Sequence, residues 1–229
     1  MNIDYARRQM VNQQVRGWNV YDENVLAVLQ ELPREQFVPP AYRALAFADI
    51  EIAIGHGQHM MTPTIEGRVL QALGLQGDER VLEIGTGSGF LTACLARLAA
   101  EVMSVEIYED LLQTAAARLA DCDIKNVELL HMNAMSELPD GRFDAIAITG
   151  SLQSFDPRFV DALRSDGKLF VVVGDAPAME AKLVLRTEQN DWRTVSLFDK
   201  RISQLLYVES TRHSANGIFV SKLTNNTPG

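Results

Sequence analysis

The stretch that most constrains the fold is Val81 to Gly89, reading VLEIGTGSG. An apolar run of Val81, Leu82 and Ile84 meets glycines at three alternate positions and then a helical pattern, which predicts a strand, a tight turn and a helix start. Glycine tolerates positive φ and lets a ligand approach where a Cβ would collide, while the first N–H groups of the new helix lack partners within it. Gly85, Thr86, Gly87, Ser88 and Gly89 therefore form a ligand cradle. A dinucleotide fingerprint, G-x-G-x-x-G/A, counted from Gly85 requires a small residue where Phe90 stands. An acid ahead of G-x-G-x-G, here Glu83, suits a ligand with a cationic end and no phosphates. S-adenosyl-L-methionine, with its ammonium and sulfonium, answers that description; a glycine-rich turn with no ligand is the plainer alternative.

One unit later, Glu101 to Ile107 (EVMSVEI) reads as a buried strand ending near Glu106. An acid about twenty residues beyond such a glycine turn stands where it accepts bonds from ribose hydroxyls. Glu106 thus points to an adenosine-bearing ligand without separating nicotinamide from sulfonium cofactors.

Around this centre the chain alternates between the two periodicities. A helix over residues 4–17 carries Met10, Val11 and Val15 and is expected to stop at Gly17; a second runs from Asp22 to Leu32. Residues 34–62 show weak periodicity and are expected to be a binding loop or lid. The next helix starts at Pro63, with Thr62 as its N-cap, and ends at Gly74. Leu91, Leu95 and Leu98, and later Leu111, Leu112, Ala115 and Leu119, form buried helical stripes. Strands are expected over Val127–Met132, Phe143–Ile148 and Leu169–Val173, with a helix near Arg158–Leu163. Later strands, including an antiparallel pair, are expected over Lys182–Arg186, Arg193–Phe198 and Ile218–Lys222. This order predicts an α/β fold: a doubly wound, mostly parallel Rossmann-like sheet with helices on both faces and an N-terminal helical extension. Ligands of such sheets sit outside the carboxyl ends of the strands, where strand order reverses.

Composition narrows the partners. The net charge is −9 over 229 residues, with a pI near 4.9, which disfavours a nucleic-acid surface because such surfaces neutralise phosphates with Lys and Arg. No apolar run approaches the roughly 20 residues that span a bilayer, and the N-terminus shows no signal-peptide pattern, so a soluble, cytoplasmic protein is expected. Cys94 and Cys122 lie far from any metal-ligand spacing and are expected to be reduced thiols; no metal is expected.

Over roughly Met10 to Val173 the chain resembles the protein-L-isoaspartate O-methyltransferase family of class I S-adenosyl-L-methionine-dependent enzymes. The likeness rests on RGW at Arg16–Trp18, REQFVP at Arg34–Pro39, AFADIE at Ala46–Glu51, IGHGQ at Ile54–Gln58 with Pro63 beyond it, and VLEIGTGSGF at Val81–Phe90. The last occurs in many methyltransferases; REQFVP and IGHGQ are more specific. The order of elements together with this resemblance divides the chain into an N-terminal part over 1–62 with helices and substrate loop and a methyltransferase domain over 63–223 expected to bind the cofactor, and the polar composition of 224–229 marks a tail. It implies that Glu83 and the Gly85–Gly89 loop hold the methionine part, that Glu106 takes the ribose, and that Ile107 lies against the adenine.

Two departures stand out. Where the family usually shows Gly-Asp-Gly after the third strand, this chain has Met132, Asn133 and Ala134; the Asn133 amide oxygen can still accept from the adenine amino group. Where the family has Thr-Ile-Ser after Gly-Gln, its serine beside the isoaspartyl carboxylate, this chain has His59, Met60 and Met61. Losing one hydrogen bond to a charged group, about 1.5–3 kcal/mol, costs on the order of tenfold to a hundredfold in rate. His59 or Thr62 can supply a donor in its place, although Thr62 is also the expected helix cap. The implied activity is methylation of isoaspartyl carboxylates in damaged peptides or proteins. The alternatives are another acceptor, such as a small molecule, and a non-catalytic cofactor-binding module; the oligomeric state is left open.

Overall fold

In the computed structural model, residues 2–175, 178–187 and 191–199 are described. The chain opens with α1 (Ile3–Gln9), which continues without a break into a π-helical turn over Met10–Val15 and a 3-10 turn over Arg16–Trp18. The single α-helix expected over 4–17 is thus corrected in kind and in its end point. Wider i→i+5 turns bring Met10 and Val15, five residues apart, to one buried side. Gly17 does not stop the helix; Asn19, at φ 61°, does, because asparagine tolerates the left-handed conformation. Helix α2 (Glu23–Glu31) is capped by Asp22, whose carboxylate accepts from the Asn24 and Val25 N–H groups.

The expected loop over 34–62 is in fact built: a one-turn α3 (Arg34–Phe37), a 3-10 segment (Pro40–Leu45), and a hairpin of β1 (Ile52–Gly55) and β2 (Gln58–Met60). Its order comes from buried anchors such as Phe37, Ile52 and Met60, which short elements present without long-range periodicity.

Helix α4 (Pro63–Leu73) leads to β3 (Arg80–Ile84), α5 (Phe90–Leu98), β4 (Glu101–Glu106), α6 (Glu109–Asp121) and β5 (Val127–His131). Then come β6 (Phe143–Leu152), α7 (Arg158–Asp161), β7 (Leu163–Asp175), β8 (Ala178–Arg186) and β9 (Trp192–Asp199). Strands β6 and β7 run beyond their expected ends, and β7 begins where the α7 helix was expected to continue. The expected strand at Ile218–Lys222 and the tail lie outside the described residues.

The strands form one sheet in the order β5-β4-β3-β6-β7-β8-β9. The first five are parallel, and β8 and β9 add antiparallel to the edge. Because side chains alternate across a strand, Val81 faces one core with Leu29, Leu70 and Leu95, while Leu82 faces the other with Phe159 and Val160. Helices therefore cover both faces. The chain winds outward from β3 to β5 and returns to β6 on the other side of β3, so the order reverses at the carboxyl ends of β3 and β6.

Candidate functional site

At that reversal lies a cavity of about 990 Å3, open to solvent. Its floor is the glycine loop. Gly85, Gly87 and Gly89 all have positive φ, at 95°, 52° and 84°. A Cβ on Gly87 would meet Ile54 Cδ1 at 3.1 Å, and one on Gly89 would meet Ala115 Cβ at 3.0 Å. The loop is pinned from below: the Gly85 and Thr86 N–H groups donate to the Val105 carbonyl. Glu106 pins it from the side, since one carboxylate oxygen accepts from Gly87 N–H at 2.8 Å and the other from Ile107 and Tyr108 N–H at 2.9 and 3.1 Å.

Glu83 is fully buried at the end of β3. Thr86 donates to Ser104, Ser104 donates to Glu83 Oε2 at 2.6 Å, and Thr92 donates to the same oxygen at 2.5 Å. Among the described residues the other oxygen, Oε1, has no partner, although Glu83 lines the cavity. An orphaned, fully buried carboxylate oxygen is expensive unless a cation or donor meets it. Burial raises the Glu83 carboxyl from 4.5 to about 8, against the pull of the two hydroxyls. Between those values the folded protein binds more protons than the unfolded chain, so the contribution of Glu83 to stability falls as pH rises from 4.5 to about 8, by at most about 1.4 kcal/mol per pH unit. Burial raises the Glu66 carboxyl over the same range, so urea unfolding of the ligand-free protein at pH 5.5 and 7.5 should show a smaller loss in Glu83→Gln than in the native chain; equal losses in both would overturn the assignment.

The predicted cofactor residues converge on this cavity: Glu83, Gly85, Thr86, Gly87, Ser88, Glu106, Ile107 and Asn133 line it, and Gly89 closes the loop as the left-handed cap of α5. The Asn133 amide oxygen accepts from Met135 N–H at 3.0 Å. At the opposite end stand Gln58, His59, Met60 and Met61 of the hairpin and its exit. His59 is exposed and Met60 is buried. Thr62 is placed differently: it is 3% exposed and is not among the lining residues of the cavity. Thr64 donates to Asp49 at 2.7 Å, so the Thr62 hydroxyl donates to Thr64 at 2.9 Å. Nor does that hydroxyl cap α4, although the Thr62 backbone occupies the cap position and its carbonyl accepts from Ile65 and Glu66.

Sequence reasoning missed the support beneath this loop. Arg34, with no exposed surface, donates to the Ala46 carbonyl, the Glu66 carboxylate and the Met61 carbonyl, and its guanidinium lies 4.8 Å over the Phe90 ring. It also missed the hairpin tip, where His56 stacks on Tyr108.

A family profile described as Protein-L-isoaspartate(D-aspartate) O-methyltransferase (PCMT) matches residues 6–215. The chain belongs to this family. A protein-L-isoaspartate O-methyltransferase of Opitutus terrae is 38% identical over 185 residues, covering 80% of this chain and 79% of the relative. One of Rhodopseudomonas palustris is 38% identical over 202 residues, covering 87% and 82%. A crystal structure of a candidate protein-L-isoaspartate O-methyltransferase from Plasmodium falciparum, in complex with S-adenosyl-L-homocysteine, superposes with a TM-score of 0.76 at 21% identity, covering 90% of this chain and 99% of that one. Membership of the protein-L-isoaspartate O-methyltransferase family carries the fold expected from the strand order, with its mostly parallel sheet and N-terminal helices. Among the described residues, no helix is long and apolar enough to cross a membrane. Cys94 and Cys122 are both free thiols.

Proposed function

We propose that this chain is an S-adenosyl-L-methionine-dependent methyltransferase that esterifies the isoaspartyl carboxylate of damaged peptides or proteins in the cytoplasm. The observation that carries the reading is the orphaned Glu83 oxygen in a cavity shared with a glycine loop whose positive φ angles and close neighbours disfavour side chains. Glu83 meets the ammonium of the methionine part; Glu106, whose Oε2 accepts a single N–H bond while Oε1 accepts two, takes the ribose hydroxyls through Oε2. Ile107 packs on the adenine, and Asn133 accepts from its amino group. When bound, the cofactor supplies a methyl group activated on a sulfonium.

A carboxylate acceptor is already ionised at neutral pH, so the chain needs no general base. Its residues must align the acceptor and exclude water, and such proximity supplies about 7–11 kcal/mol of a barrier. The hairpin does this: His59 presents a ring N–H toward the acceptor carboxylate, Met60 and Met61 form an apolar wall that keeps water out, and Thr62 fixes their exit into α4. Labelled cofactor and a synthetic isoaspartyl peptide test the proposal. A methyl ester above the aspartyl control is expected; tight cofactor binding without ester would sink the substrate assignment.

A different acceptor is favoured by one observation. Among the described residues, the cavity lining holds the carboxyls of Glu51, Glu66, Glu83 and Glu106 and no Lys or Arg, so an anionic substrate relies on the cofactor cation and on His59 for attraction. If the acceptor is isoaspartyl, Met61→Ser should raise kcat/KM about tenfold by restoring a donor at that wall. Steady-state kinetics on the same peptide check this, and an unchanged or lower value would indicate an acceptor suited to the apolar wall.

A further inference from the structure

We infer that His56 is a positioning residue, latching the β1–β2 hairpin to the first turn of α6 and so governing both cofactor exchange and the placement of the acceptor wall. This rests on the reading of the cavity as an S-adenosyl-L-methionine site.

Three consecutive residues at the hairpin tip have positive φ: Gly55 at 114°, His56 at 51° and Gly57 at 69°. The glycines adopt this freely, but a residue with a side chain stands there at a cost and persists only where contacts hold it. His56 has two such contacts, both to the opposite lip of the cavity. Its ring stacks on Tyr108 with centroids 4.0 Å apart and planes 11° from parallel. Its Nε2 lies 2.9 and 3.0 Å from the two carboxylate oxygens of Asp110. The bond to His56 pulls the Asp110 carboxyl below its ordinary range, so the carboxylate accepts and the ring donates.

The latch joins the two halves of the site. On one arm of the hairpin Ile54 leans over Gly87; on the other stand His59 and Met60, and α6 follows directly from Glu106, Ile107 and Tyr108. His56 itself is not among the lining residues of the cavity. Its effect therefore passes through the hairpin: a ligand held between Ile54 and the glycine loop leaves when the tip parts from α6.

Stopped-flow dissociation of S-adenosyl-L-homocysteine reads the latch. His56→Ala is expected to speed dissociation about tenfold and to raise the peptide KM more than it lowers kcat, with the melting temperature held within about 2 °C. Asp110→Asn should act in the same direction more weakly, and the double variant should be no faster than His56→Ala, because both remove one interaction. His56→Asn, which tolerates the left-handed backbone, should remain fast, separating the latch from relief of strain. Glu109→Gln removes an acid from the same turn outside the latch and should match the native rate. Unchanged dissociation in His56→Ala, additive effects in the double variant, or equal acceleration in Glu109→Gln would each overturn the latch. Absence of binding by the native protein would instead overturn the cofactor reading.

Discussion

Replacing Glu66 with alanine is expected to destabilise the protein by about 3–5 kcal/mol, because it leaves a buried guanidinium without its counter-charge. Arg34 and Glu66 have side chains 0% and 2% exposed and are in direct contact. Burial pushes the Glu66 carboxyl upward and Arg34 holds it back. Among the described residues the guanidinium pairs with no other carboxylate; its remaining bonds go to the Ala46 and Met61 carbonyls. At this chain length such a loss corresponds to a fall of about 10 °C in melting temperature. Removing both charges, in Arg34→Met with Glu66→Leu, should recover most of that stability, since a buried ion pair adds little over well-packed apolar residues. The double variant should nevertheless bind peptide poorly, because the Met61 carbonyl loses the donor that holds the acceptor wall. Thermal melts of the three proteins decide the matter: a double variant as unstable as Glu66→Ala would show that the pair contributes more than charge neutralisation.

That pair also shows where sequence reasoning stops. The glycine turn, Glu83 and Glu106 were legible because each lies at a fixed offset from a strand end, and strand ends follow from apolar runs. The sheet was legible for the same reason. Glu66 left a trace that alternation alone does not expose: with Val69, Leu70 and Leu73 it occupies the i, i+3, i+4, i+7 stripe of α4, so a carboxylate falls on the apolar face. An acid on such a stripe calls for a buried cation, but nothing local says that it is Arg34, 32 residues earlier in the chain. The order of residues 34–62 stayed hidden for a related reason. Its anchors Phe37, Ile52 and Met60 reach the core singly from short elements, and the His56 contacts span 54 residues to Asp110. The π-helical turn at Met10 was missed because a spacing of five looks like an imperfect α stripe until its packing is seen.

The second large effect concerns Glu106, which holds the glycine loop and, on the proposed reading, the ribose. Glu106→Leu should weaken S-adenosyl-L-homocysteine binding at least a hundredfold, about 2.7 kcal/mol, for two separable reasons. It removes the acceptor of the ribose hydroxyls, and it leaves the N–H groups of Gly87, Ile107 and Tyr108 without the carboxylate that collects all three. Hydrogen bonds to a charged group contribute about 1.5–3 kcal/mol each, so losing a single one accounts for most of the effect. Glu106→Gln separates the two reasons. Its amide oxygen can serve either Gly87 or the Ile107–Tyr108 pair, but its NH2 group must then face an N–H on the other side, donor against donor. If the carboxylate matters chiefly as the organiser of the loop, the Gln variant should bind nearly as poorly as Leu. If it matters chiefly through the ribose, the Gln variant, which can still accept from one hydroxyl, should lose only about tenfold. Titration calorimetry of both variants with S-adenosyl-L-homocysteine distinguishes these outcomes, and native-like affinity in Glu106→Gln would remove Glu106 from the cofactor site altogether.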